Sequence, residues 1–158
     1  MSGACPERSE GLKMTTCDTN MLLPKKVQHR KWHKGRRRQK GVATRANKID
    51  FGDFGLKSES YGWVSSRQLE AARRVLTRYV RRGGKVWIRV FPDKPVTKKG
   101  NETPMGGGKG APDHYVAVVK PGSMLFEMVG VTRASAKEAM EMAGYKFGLK
   151  TRFVEKLR

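Results

Sequence analysis

The sequence predicts an α+β fold, a small mixed or antiparallel sheet with two helices, joined to an extended basic arm and a long Gly/Lys loop. Three observations carry that expectation. Residues 66–82 place apolar side chains at helical spacing. Short runs on either side alternate apolar with polar residues, the signature of half-buried strands. The resulting order, β, α, β, loop, β, β, α, β, mixes hairpins with helices and does not repeat a strict β–α unit. Only 37% of the residues are hydrophobic, so the core these elements share must be small.

Residues 1–20 carry Gly, Ser, Thr and Pro with mixed charge, and read as a disordered extension. Two readings stand for it: a genuine short tail, or a segment ahead of a true start at Met21. Both cysteines, Cys5 and Cys17, lie there, where a disulfide would staple only a tail; free thiols in a reducing compartment are expected. Residues 21–48 form an arm with no acidic residue at all. Like charges in series repel and extend, so this arm has little reason to fold without a polyanion. From 49 to 158 the pattern is that of a single globular domain with an extended loop at 94–112.

Within that domain, Phe51, Phe54, Leu56, Tyr61 and Trp63 alternate with glycines and predict two short strands. Ser65 followed three residues later by Gln68 is a capping-box pattern that starts the first helix. Leu69, Ala72, Leu76, Tyr79 and Val80 make its core stripe, Glu70 and Arg74 stand one turn apart, and Gly83-Gly84 stops it. Residues 85–91 alternate as a strand that Pro92 ends. Residues 115–119 predict another strand, Pro121-Gly122 a turn, and 124–131 its hairpin partner. Thr132 is the expected N-cap of a second helix whose buried face is Ala136, Ala139, Met140 and Ala143. Residues 151–154 predict a last strand.

Lys plus Arg number 34 against 14 Asp plus Glu, a formal net charge of +20, which points to a polyanionic partner. Each cation that meets a phosphate releases a condensed counterion. A membrane surface is also anionic, but no apolar run approaches the roughly 20 residues of a spanning helix. The N-terminus lacks the apolar stretch of a signal peptide. RNA is the favoured partner because Trp32 and His33 interrupt the basic arm, and a planar ring among cations stacks on an unpaired base. Cover for the folded domain is an equal reading for Trp32. His29 and His33 are one helical turn apart but have no Cys, Asp or Glu beside them to complete a metal set. Gly106-Gly107-Gly108-Lys109-Gly110 resembles a phosphate-binding loop only superficially: the hydroxyl after the lysine is missing and a strand follows. A flexible hairpin loop is the plain alternative. The carboxylates are scattered, and the adjacent Asp113 and His114 suit a strand end, so no catalytic residue, cofactor or metal is expected and the chain is read as a non-enzyme.

Several long segments resemble one family. They are Met21-Leu22-Leu23-Pro24-Lys25, His33-Lys34-Gly35-Arg36, Phe51-Gly52-Asp53-Phe54-Gly55-Leu56, Ser66-Arg67-Gln68-Leu69-Glu70-Ala71-Ala72-Arg73 and the run 82–95. Met105-Gly106-Gly107-Gly108-Lys109-Gly110 and Lys150-Thr151-Arg152-Phe153-Val154 continue the match to the end. The chain from Met21 on resembles the bacterial large-subunit ribosomal protein sixteen family, whose archaeal and eukaryotic relatives are called L-ten. The resemblance implies a hammerhead-type α+β fold. It implies a structural role in the large subunit, binding its ribosomal RNA and shaping the aminoacyl and peptidyl transfer-RNA sites near the peptidyl-transferase centre. A free nucleic-acid chaperone or architectural protein is the alternative.

On that resemblance the ribosomal-RNA contacts are Lys25, Lys26, Arg30, Lys31, Trp32, His33, Lys34, Arg36, Arg37, Arg38, Lys40 and Arg45, with Arg73, Arg74, Arg81 and Arg82 from the helix. The transfer-RNA-facing loop comprises Lys94, Lys98, Lys99, Met105, Gly106, Gly107, Gly108 and Lys109. Pro104 stands where many bacterial members carry an arginine that is hydroxylated in some, and Gly100 where a proline is common. That modification cannot occur here. The implied partners are large-subunit ribosomal RNA, transfer RNA and neighbouring ribosomal proteins, with no homo-oligomer and no membrane. A cytoplasmic ribosome is expected ahead of an organellar one, because no convincing transit peptide is present.

Overall fold

The capping box written into Ser65 and Gln68 forms: the Ser65 amide donates to Gln68 Oε1 at 2.9 Å, and the Gln68 amide donates to Ser65 Oγ at 3.3 Å. It opens helix α1, Ser66–Val80, which buries Leu69, Ala72, Leu76 and Val80. Tyr79, expected in the same stripe, is only partly buried and donates its hydroxyl to Glu138 at 3.3 Å. The computed structural model describes residues 22–35, 41–80 and 83–156; the expectations for residues 1–20 lie outside them.

The strands are β1 Phe54–Ser58, β2 Gly62–Ser65, β3 Lys85–Ile88, β4 Lys94–Lys98, β5 Ala111–Val119, β6 Met124–Val129 and β7 Thr151–Glu155. Helix α2, Arg133–Gly144, follows its N-cap Thr132 and buries Ala136, Ala139, Met140 and Ala143. The fold is α+β, with a four-stranded sheet ordered β3-β6-β1-β7 and a three-stranded sheet ordered β2-β5-β4. Every pairing is antiparallel.

Two expectations are corrected. Residues 115–119 and 124–131 do not form a hairpin. β5 pairs with β2 and β4, whereas β6 pairs with β1 and β3. The Pro121-Gly122 turn, with Gly122 at φ 91°, passes the chain from one sheet to the other. Nor is 94–112 all loop: Lys94–Lys98 is a strand and β5 begins at Ala111, leaving 99–110 as the excursion. β4 is an edge strand, where Pro95 is tolerated because its missing amide has no ladder partner to fail.

Register fixes which side chains share a face. Ile88, Phe126, Leu56 and Phe153 form one row across all four strands. Leu56 and Phe126 join the core with Leu69, Leu76 and Met140 of the helices. Burying each such side chain contributes roughly 1.5–3 kcal/mol. The next row, Trp87, Glu127, Gly55 and Val154, points to the opposite face. There Ile49 packs so close to Gly55 that a Cβ on the glycine would lie 3.2 Å from it.

Candidate nucleic-acid interface

The basic arm takes no helix or strand between residues 22 and 35, as its repelling charges require, but it does not stand clear of the domain. Leu22 packs against the core. Lys94 is buried in β4 with its ammonium 4.3 Å from the centre of the Trp63 ring, and it donates to the Lys34 carbonyl at 2.8 Å. Lys31 donates to the Lys109 carbonyl at 2.6 Å, and Lys109 returns a hydrogen bond to the Trp32 carbonyl. Arm and loop root are therefore one surface, a groove lined by Trp32, Lys34, Trp63, Lys94, Pro95 and Lys109. Trp32 lines this groove and remains 37% exposed. Lys25, Lys26, Arg30, Lys31, His33, Lys34 and Arg45 are exposed.

Lys94 corrects the expected loop set. It is a buried strand residue, not a loop residue, whose ammonium lies over Trp63 and donates to the Lys34 carbonyl. The rest of the set lies on the excursion or at its base. Lys98 is exposed at the end of β4, and Lys99 donates to the Gly106 carbonyl at 2.6 Å, closing the loop on itself. Met105 is fully exposed at the turn. Gly106, Gly107 and Gly108 have φ of 126°, 61° and 82°, a run of left-handed backbone that side-chain-bearing residues adopt only under strain. A phosphate-cradling role is not needed to explain these glycines; the path of the chain requires them.

On α1, Arg73 and Arg74 share one carboxylate. Glu70 accepts from Arg73 at 2.6 Å and from Arg74 at 3.1 Å. The hydrogen bond from Arg73 is the main reason the Glu70 carboxyl is held below its usual range. Both guanidinium groups are thus oriented, and part of their charge is met inside the protein. Arg36, Arg37, Arg38, Lys40, Arg81 and Arg82 lie outside the described residues. His114 Nδ1 and Asp113 Oδ2 are 2.8 Å apart on exposed β5, and that bond lowers the Asp113 carboxyl. Among the described residues, no group of three or more His, Cys, Asp and Glu could hold a metal, and no helix is long and apolar enough to cross a membrane.

Glu127 was not anticipated. It is fully buried in β6, where it accepts from the amides of Phe51 at 2.7 Å and Gly52 at 3.0 Å. Arg89 Nη1 lies 3.2 Å from it, and Arg89 Nη2 reaches Asp50 at 2.5 Å. A buried carboxylate is tolerable only when paired and hydrogen-bonded in this way. The signal was present in the sequence as one acid inside the apolar run Met124-Leu125-Phe126-Glu127-Met128.

The ribosomal protein L16p/L10e family model matches residues 24–154, which spans the arm, both sheets and both helices. The chain belongs to the ribosomal protein L16p/L10e family. Among similar curated proteins is the large ribosomal subunit protein uL16c of Oltmannsiellopsis viridis, 57% identical over 134 residues, covering 85% of this chain and 98% of that protein. The uL16c of Porphyra purpurea is also 57% identical over 134 residues, covering 85% of this chain and 95% of that protein. That of Pleurastrum terricola is 57% identical over 136 residues, covering 86% and 96%. L16p/L10e membership makes this chain a structural, non-enzymatic component of the large ribosomal subunit, associated with its RNA and proteins. The expectation of a cytoplasmic ribosome is overturned: these relatives carry the uL16c name of the chloroplast ribosomal protein and point to an organellar ribosome.

Proposed function

We propose that this L16p/L10e chain anchors itself on large-subunit ribosomal RNA through the arm and the loop root, and extends the loop tip toward the aminoacyl and peptidyl transfer RNAs. The observation that supports this best is the reciprocal bonding of Lys31 and Trp32 with Lys109. It gathers the acid-free arm and the base of the excursion into one cationic surface, to which several phosphates would bind with counterion release. Lys25, Lys26, Arg30 and Arg45 are exposed further along the arm, and Arg74 is exposed on the helix. The tip, residues 100–106, offers Met105 and little charge, which suits shaping a site more than anchoring to it. The chain acts as a single copy, and the chemistry of peptide transfer belongs to the RNA.

Two deletions test this reading. Removing residues 25–40 should keep the protein out of large subunits after a moderate salt wash. Removing residues 100–107 should leave incorporation intact and weaken transfer-RNA binding or peptide-bond formation. Equal effects of the two deletions on incorporation would refute the division between anchor and tip.

A further inference from the structure

We propose that Phe51 is a stacking platform for one unpaired nucleobase of the ribosomal RNA, at a site separate from the arm and the loop. The proposal rests on the ribosomal-RNA reading above and adds a contact to it. Phe51 is 61% exposed. Its position is nevertheless tightly specified. The buried Glu127 carboxylate accepts from its amide at 2.7 Å and from that of Gly52 at 3.0 Å. Gly52 itself is pressed on β6, where any Cβ would sit 2.7 Å from the Met128 carbonyl oxygen. A buried acid and an obligate glycine thus hold an exposed ring.

Two side chains pack against the ring. Trp87 and Arg89 are two apart along one extended segment, so both project from the same sheet face. Phe51 lies over both: its ring centre is 6.1 Å from that of Trp87, stacked, and 4.6 Å from the Arg89 guanidinium. The ring thus packs against Trp87 and Arg89, while the residue as a whole stays 61% exposed. A fixed aromatic face backed by a cation is the arrangement on which single-stranded bases stack.

The surrounding charge favours a base over the alternatives. Asp50 is tied to Arg89 at 2.5 Å and Asp53, two residues along the chain from Phe51, is exposed, so a phosphate is disfavoured directly on the platform. Lys85 is exposed one alternation along the strand from Trp87, roughly 7 Å from it by strand geometry, and offers a cation to a phosphate on that side. A basic peptide of a neighbouring protein would use the two aspartates but would be repelled by Lys85.

The test uses large subunits carrying the full chain. A photoreactive phenylalanine analogue at position 51 should crosslink to ribosomal RNA. In subunits with Phe51→Ala, a base should become newly reactive to reagents that modify unpaired bases, and Phe51→Trp should protect it again. Affinity of the full chain for large-subunit RNA should fall about 10-fold in Phe51→Ala. Phe51→Leu keeps apolar bulk and should lose protection like alanine while melting like the wild type, which separates stacking from folding. A crosslink to a neighbouring protein, or unchanged reactivity and affinity in Phe51→Ala, would overturn the platform while leaving the anchor reading in place. Absence of the wild-type chain from large subunits would overturn both.

Discussion

β5 and β6 are neighbours in sequence and strangers in the fold. β6 buries five residues in succession, Met124 to Met128, because helices cover one face of its sheet and the segment around Ile49 covers the other. β5 buries only Val116, Ala117 and Val119; its first half, carrying Asp113 and His114, is exposed and leads out to the loop. The four-stranded sheet carries most of the core, which Val64 and Val119 of the other sheet join. The other has a buried lysine and a groove of tryptophans and cations, and it displays. The packed core and the basic groove thus lie mainly on different sheets, and the Pro121-Gly122 turn is one of the places where the chain passes between them.

The largest effect that sharpens this contrast comes from the first sheet. Phe126→Ala should lower unfolding free energy by about 3–5 kcal/mol in denaturant titration, since the site is closed on both faces and a cavity remains. In the second sheet, Lys94→Ala should cost less, about 1–2 kcal/mol for the lost cation–π and hydrogen bond. Its diagnostic consequence is local: amide exchange at residues 32–35 should quicken more than exchange in β6. If Lys94→Ala destabilises as much as Phe126→Ala, the two sheets are not divided as described.

The smallest effect lies on α1. Glu70→Gln should remove a few tenths of a kcal/mol at neutral pH, as ion pairs one turn apart on a helix do. The folded-state pKa of Glu70 is depressed, chiefly by its bond to Arg73, so its contribution is present above the ordinary carboxylate pKa and is lost as pH falls through the depressed one. Thermal melts of the two proteins should therefore converge on acidification. A gap that persists in acid would mean that the pair acts through packing.

What could be read from the sequence was what is decided locally. The cap at Ser65, the stripe Leu69, Ala72, Leu76 and Val80, and the alanine face of α2 depend on residues a turn apart, and all formed. Strand partnership depends on residues far apart, and there the expected hairpin of 115–119 with 124–131 failed. β4 was hidden because Lys94, Pro95 and Lys98 resemble loop residues, a composition that only an edge strand accepts. The arm's charge was plain, but its junction with Lys109 spans 77 positions and no local pattern announces it. Glu127 could have been suspected as an acid in an apolar run; that it grips Phe51 and Gly52 could not.

The position of β1 in its sheet bears on how the chain is made. β1 lies between β6 and β7, with Phe54 opposite both Met128 and Glu155. During synthesis it has no strand partner until the last part of the chain has been translated, and pairings so distant in sequence close slowly. The arm, by contrast, emerges before any of the strands and carries its charge from then on. For most of its time as a nascent chain the protein is thus a polycation attached to an unfinished sheet, prone to premature capture by any nearby polyanion. Shielding the arm before release should raise the yield of folded protein more than it raises its final stability.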